Sequence, residues 1–199
     1  GLGDVYKRQG PQMAEVYIAL VDTPGFFASI IKKVIGIEYC HVVLSLDETF
    51  DQAYSVNRRN PAIPFFAGFV KEDSVKILRK FPTASYRIIR LPCSMEQKKA
   101  IQRELEFCYK RRWTIHYCVI GLPFLIAKRP FYQKNHYTCS SFLAKLFDEQ
   151  GISLFDKHSS LVTPRDFYEL TGFEKIYEGS FSSYLSDQVQ WKEAKRHAW

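Results

Sequence analysis

The stretch Asn135-His-Tyr-Thr-Cys-Ser-Ser-Phe-Leu-Ala-Lys-Leu-Phe147 decides how this chain can be interpreted. Its apolar residues recur with the spacing of an amphipathic helix, at Phe142, Leu143, Leu146 and Phe147. Thr138 is a suitable N-cap and Gly151 is a suitable C-terminal stop. The pattern therefore predicts a helix with Cys139 in its first turn.

A cysteine in the first turn of a helix is a candidate nucleophile. Unpaired backbone N–H groups and the positive end of the helix dipole favour an anion there. They lower the pKa of a thiol at that position, and the thiolate is the reactive form. The alternative interpretation is that Cys139 is a small core residue, which is the commoner role of a lone cysteine in an amphipathic helix.

Composition describes one globular domain. The chain has 199 residues, of which 46% are hydrophobic and 25% are charged, and this is enough to bury a core. The net charge of +7 comes from 28 basic and 21 acidic residues, which are spread along the chain. We interpret the charge as a solvated basic surface, and expect no nucleic-acid partner because no nucleic-acid motif accompanies it.

The five cysteines, at positions 40, 93, 108, 118 and 139, form an odd set without a CxxC pair. A reducing compartment therefore fits better than a disulfide framework. No signal peptide is evident, and the most apolar run, 115–127, is too short to span a bilayer. We predict a cytoplasmic protein without a transmembrane segment.

The first residues look foreign to the domain. The stretch Asp4-Val-Tyr-Lys-Arg-Gln9 matches the translation of a transposon-end adapter used in sequencing libraries. We expect residues 1–12 to be an artefactual or disordered leader, and residues 13–199 to form a single domain.

Hydrophobic patterning predicts an α+β fold. Helices are expected from Pro24 to Gly36, from the Ser94/Gln97 capping box through Cys108, from Cys139, and after Thr163-Pro164. Strands are expected at 15–21, 41–47, 50–56, 75–80, 86–91 and 174–179, with the second and third forming a hairpin. The segment 57–70 is predicted to be a loop or a distorted edge, and the tail after 187 is polar.

A thiol nucleophile needs a base, and His41 is the best candidate. The other histidines, at 116, 136, 158 and 197, lie in irregular or polar surroundings or outside the Cys139 helix. His41 begins a predicted strand, which could hold its imidazole rigidly against a helix terminus packed on the sheet. A lone strand histidine is more often structural, so the combination with Cys139 carries the hypothesis.

The order of these two motifs resembles a known family. Tyr39-Cys-His-Val-Val-Leu-Ser-Leu46, followed far downstream by Tyr137-Thr-Cys-Ser-Ser-Phe-Leu-Ala144, is similar to the circularly permuted branch of the papain-like NlpC/P60 superfamily. The stretches Tyr54–Arg58 and Gly68–Glu72 also look like bacterial members of this group. The resemblance covers about residues 15–180.

This resemblance implies an antiparallel sheet packed against helices, with Cys139 as nucleophile and His41 as general base. It also implies a polar residue that orients the imidazole, usually on the strand after the histidine. That strand offers Gln52, Tyr54 and Ser55, a departure from the acidic or histidine residue of the family. The backbone N–H of Cys139 would contribute to the oxyanion hole.

The leading functional hypothesis is a cysteine amidase or peptidase that needs no cofactor and acts on cell-wall-type peptides or small acyl amides. One alternative is a lecithin:retinol acyltransferase-like enzyme acting on lipids, which shares the order of histidine and cysteine. Another is a catalytically silent binding domain. A metal site at His136-x-x-Cys139 or His116-x-Cys118 is weaker, since the paired ligand sets of structural zinc are missing.

Overall fold

A computed structural model describes residues 13–24, 26–59, 67–118 and 121–197. Within these ranges the chain forms an α+β fold with one mostly antiparallel sheet. The sheet has the order β7-β6-β4-β3-β2-β1-β5-β8, and only β6 and β7 pair in parallel. The strands are β1 (Met13–Asp22), β2 (His41–Ser45), β3 (Ala53–Arg58), β4 (Ala67–Lys71), β5 (Ser85–Ser94), β6 (His116–Tyr117), β7 (His136–Tyr137) and β8 (Glu174–Ser180).

Seven α-helices accompany the sheet in the described part of the chain. They are α1 (Phe26–Ile35), α2 (Ser74–Lys80), α3 (Met95–Lys110), α4 (Gly121–Ile126), α5 (Cys139–Glu149), α6 (Pro164–Tyr168) and α7 (Phe181–His197). The predicted capping box of α3 is confirmed, because Gln97 N donates to Ser94 Oγ and Gln97 Oε1 accepts from Ser94 N.

The sheet separates two apolar cores. Alternate residues of the central strand β1 point to opposite faces, and residues 16–21 are buried on both. One face, which includes Val16, Ile18 and Leu20, packs against α3, α5 and α6. The other face includes Tyr17 and Ala19, and packs against residues of α2 and α7. Helices therefore cover both faces of the sheet.

The prediction of a strand at 75–80 was wrong, because this segment is helix α2. Val75 and Ile77 alternate with polar residues, as in a strand. Asp73 precedes them, however, and its carboxylate accepts hydrogen bonds from the N–H groups of Val75 and Lys76 at 3.1 and 3.0 Å. This N-cap starts the helix, and it outweighs the weak strand preference of a short segment.

The prediction of a loop or distorted edge at 57–70 was also wrong at both described ends. Residues 57 and 58 are the last two of β3. Residues 67–71 form β4, which is not an edge, since it pairs with β3 on one side and β6 on the other; residues 60–66 lie outside the described ranges. Residues 188–197 of the polar tail belong to α7. The strand β4 is the more important difference because it leads directly into Glu72.

Gly68 allows β4 and β6 to pair closely. A Cβ atom added at this position would lie 2.2 Å from the backbone oxygen of Ile115, and backbone cannot move aside cheaply. Gly68→Ala is therefore expected to lower the free energy of unfolding by about 1–3 kcal/mol. Urea denaturation followed by circular dichroism measures this change, and an unchanged midpoint and slope would contradict the packing.

Among the described residues, no helix is both long enough and apolar enough to cross a membrane.

Candidate active site at one end of the sheet

Local hydrogen bonds place Cys139 at the first position of α5. Thr138 is the N-cap, as the sequence predicted, and its hydroxyl accepts from Ser141 N at 3.1 Å. Ser141 Oγ in turn accepts from Thr138 N at 2.9 Å. The two bonds complete a capping box around Cys139, whose side chain is buried.

Packing holds this helix terminus against the sheet. The Phe142 ring of α5 lies 5.2 Å from the Phe69 ring of β4, measured between centroids. Ser140 Oγ, itself buried, donates to Val162 O at 2.7 Å. Leu143 and Phe147 are fully buried in the core on this face. The first turn of α5 therefore has little freedom relative to the strands.

His41 is the first residue of β2 and lies between Cys139 and a carboxylate. The strand position is fixed by antiparallel pairing with Val21 of β1. Its ring Nε2 lies 3.3 Å from Glu72 Oε1. The thiol of Cys139 lies beside the same imidazole, since each of the two groups shifts the pKa of the other through its charge and a side-chain hydrogen bond.

Glu72 follows β4 and has several partners. Its backbone N–H donates to Ala53 O at 2.8 Å, which extends the pairing of β3 and β4 by one residue. Its carboxylate accepts from the hydroxyl of Ser55 and, at 3.2 Å, from Asn57 Nδ2. Burial alone would raise the pKa of Glu72, but the bonds from His41, Ser55 and Asn57 lower it below its usual value. Glu72 is therefore an ionised carboxylate behind the imidazole.

Cys139, His41 and Glu72 form a row of ionisable groups. Within this row, Cys139 and His41 shift each other's pKa, and Glu72 shifts that of His41. Burial alone would lower the pKa of His41, but the charges and hydrogen bonds of Cys139 and Glu72 raise it to about 10. Burial would raise the pKa of Cys139, but the charge of His41, their hydrogen bond, and the backbone N–H groups of Val42 and Ser140 lower it. The arrangement therefore favours a thiolate beside an imidazolium at neutral pH.

The backbone around Cys139 offers further donors. Val42 and Ser140 direct their N–H groups at the sulfur. The N–H of Cys139 itself, at the first helical position, has no acceptor within the described residues. An unpaired N–H at a helix terminus can stabilise a developing oxyanion, which is the role expected of it from the sequence.

Three of the other cysteines differ from Cys139 in the direction of their pKa shifts. Burial raises the pKa of Cys93 and Cys118, and burial together with Glu104 raises the pKa of Cys108 to about 12. Tyr117 lies close to the candidate nucleophile, since burial and then the charge of Cys139 raise its pKa. Depression of a thiol pKa beside an imidazole thus distinguishes Cys139.

The three residues predicted to orient His41 occupy different environments. Ser55 is fully buried and donates to Glu72, so it touches the group behind His41. Tyr54 packs in the core against Phe69, with ring centroids 5.9 Å apart. Gln52 is exposed in the turn before β3. The Nε2–H of His41 donates instead to the carboxylate of Glu72. The sequence did not predict this partner, because the segment before Glu72 was interpreted as a loop or a distorted edge.

Three other histidines have partners outside the candidate site. The His116 and His136 rings lie with their centroids 5.1 Å apart in a tilted arrangement, and His158 Nδ1 lies 2.7 Å from Ser160 Oγ. Across the described ranges, no three histidine, cysteine or acidic side chains come close enough together to hold a metal ion.

No protein-family model matches the chain, and no curated protein matches its sequence significantly.

Proposed function

We propose that this protein is a cysteine-dependent hydrolase of amide or ester bonds. The observation that carries the proposal is the arrangement of Cys139, His41 and Glu72, in which His41 lies 3.3 Å from the Glu72 carboxylate and beside the helix-terminal thiol of Cys139. The pKa values of the three groups are shifted in the directions that favour nucleophilic catalysis. The helix-borne cysteine and strand-borne histidine also support the resemblance to permuted NlpC/P60 enzymes of the papain-like type.

The reaction follows from this geometry. The Cys139 thiolate attacks the carbonyl carbon, and the N–H of Cys139 donates to the oxygen that becomes negative. The bond to the leaving group breaks as His41 transfers its proton to the departing nitrogen or oxygen. A water molecule then attacks the thioester while His41 accepts its proton, which releases the acid and restores the thiolate. Glu72 keeps the imidazole oriented throughout.

A lipid substrate is the second candidate, and a surface feature favours it. Phe124 and Ile126 of α4 and the nearby Tyr132 are 39%, 64% and 66% exposed. Lys128 and Arg129 lie between them in the chain. Aromatic and apolar side chains beside cations suit the interface of an anionic membrane. On this alternative, the same thiolate would accept an acyl group from a phospholipid.

Acyl-enzyme trapping tests the proposal. The protein is incubated with a panel of p-nitroanilide acyl peptides and, separately, with vesicles of phosphatidylglycerol and phosphatidylcholine. We expect release of p-nitroaniline and a mass increase equal to the acyl group on the peptide that contains Cys139. Cys139→Ala should abolish both, whereas Cys93→Ala should not.

The other outcomes separate the alternatives. Fatty acid released from the vesicles, without turnover of peptides, would replace the amidase proposal by the lipid one. No acyl adduct and no turnover on either panel would overturn both and leave a binding domain.

A further inference from the structure

A cavity of about 140 Å³ borders the first turn of α5. Thr138 and Ser141, which lie on either side of Cys139 in the chain, line it. The segment from α4 to Tyr132 contributes other parts of the lining. The cavity therefore borders the helix turn that carries Cys139, although the Cys139 side chain is not part of its lining.

The ionisable side chains that line this cavity include basic ones but no acidic one. Arg129, His136, Lys145 and His158 line it, and none of the described aspartates and glutamates does so. Lys145 forms an ion pair with Glu149. Arg129 is exposed and forms no ion pair or aromatic contact within the described residues. The guanidinium of Arg129 is therefore available to an anion beside the cavity.

Part of the lining is apolar. Leu125 and Phe131 contribute side chains, together with Cys118. Gly121 allows α4 to approach them, because a Cβ at this position would lie 2.6 Å from Cys118 Sγ and 3.3 Å from Phe131. The cavity therefore combines a short apolar surface with a guanidinium group, which suits a small aliphatic or aromatic group that ends in an anion.

We propose that this cavity binds a carboxylate of the substrate, close to the bond that Cys139 attacks, so that the preferred substrates are anionic acyl compounds. This inference rests on the proposed hydrolase function. The guanidinium of Arg129 can hold a carboxylate through two parallel hydrogen bonds. The apolar side chains of Leu125 and Phe131 suit the aliphatic or aromatic part of an organic carboxylate, a part that inorganic phosphate lacks.

Matched substrates test the proposal. Two pairs of p-nitroanilides are compared, and the two substrates of a pair differ only in having a carboxylate or a carboxamide. In one pair this group is in the acyl part, and in the other pair it is on the anilide ring. In at least one pair, kcat/KM should favour the carboxylate by about tenfold or more, as expected for a hydrogen-bonded charged group. Arg129→Gln should reduce that preference to about twofold or less. Arg79→Gln, an exposed arginine on α2, should leave it unchanged.

A binding measurement separates this inference from the hydrolase proposal. Glutarate monoamide and inorganic phosphate are titrated into Cys139→Ala protein by calorimetry, with and without Arg129→Gln, after circular dichroism has verified folding; Arg129→Lys provides a second variant. Arg129-dependent binding of the monoamide without any turnover would keep the carboxylate site and reject the hydrolase. Turnover without a preference for the carboxylate in either pair would keep the hydrolase and reject the carboxylate site. Tighter binding of phosphate than of the monoamide would overturn the carboxylate assignment.

Discussion

Iodoacetamide is expected to alkylate Cys139 at least about tenfold faster than the other four cysteines at pH 7. All five thiols are 4–8% exposed, so accessibility does not distinguish them. Protonation does, because a thiol of ordinary pKa is only a few per cent thiolate at neutral pH, whereas His41 lowers the pKa of Cys139. The lower intrinsic nucleophilicity of a low-pKa thiolate offsets part of this gain.

His41→Ala should slow alkylation of Cys139 about tenfold or more, since its charge is the main cause that lowers the thiol pKa. Peptide mass spectrometry at successive times measures all five rates in one sample. His116→Ala is the matched control, because its ring neighbour is His136. Equal labelling of the five cysteines in the unaltered protein would contradict the ion pair.

The pH dependence of this labelling has a definite direction. The thiolate–imidazolium pair exists above the lowered pKa of Cys139 and below the pKa of His41, which is raised to about 10. The rate of Cys139 labelling should therefore rise less steeply with pH through neutrality than the rate at a thiol whose pKa is not lowered. The rate at an ordinary cysteine should rise about tenfold per pH unit over the same range.

Glu72→Gln is expected to lower kcat/KM about 100-fold or more. The substitution keeps the shape of the side chain but removes the charge behind His41. A carboxylate in this position fixes the tautomer and orientation of the imidazole and stabilises its protonated form. Glu72 also raises the pKa of His41, so its loss moves the upper limit of the ion pair to lower pH.

A pH–rate profile distinguishes this positioning role from a structural one. In Glu72→Gln the alkaline limb should move towards neutral pH, in addition to the fall in rate. Asp73→Asn is the matched control: it removes the charge of the neighbouring residue, and asparagine caps α2 as well as aspartate does. If both variants showed the same rate and the same profile, Glu72 would have no part in orienting His41.

The sequence alone contained the local determinants of this site. The capping box at Thr138 and Ser141 joins residues three apart, and the apolar spacing that follows is that of a helix. The placement of Cys139 in the first turn follows from these short-range interactions. A capping box correctly predicted that α3 begins after Ser94. Asp73 is likewise the N-cap of α2, but residues 75–80 were predicted to be a strand because their apolar residues alternate.

The carboxylate was decided by tertiary structure. Glu72 reaches His41 across 31 positions of sequence, and it does so only because β3 lies between β2 and β4 in the sheet. Which strands pair depends on how the whole chain buries its apolar faces, and no spacing near Glu72 encodes that choice. Ser55, one of the three residues predicted to orient His41, donates to Glu72 because β3 lies between β2 and β4.

Cys139 was thus predictable as a thiol at a helix terminus, because hydrogen bonds between near neighbours produce that position. Its contact with His41, and the contact of His41 with Glu72, arise from non-local pairing and packing. The sequence determined where a nucleophile could form, and the tertiary structure determined which groups shift its pKa.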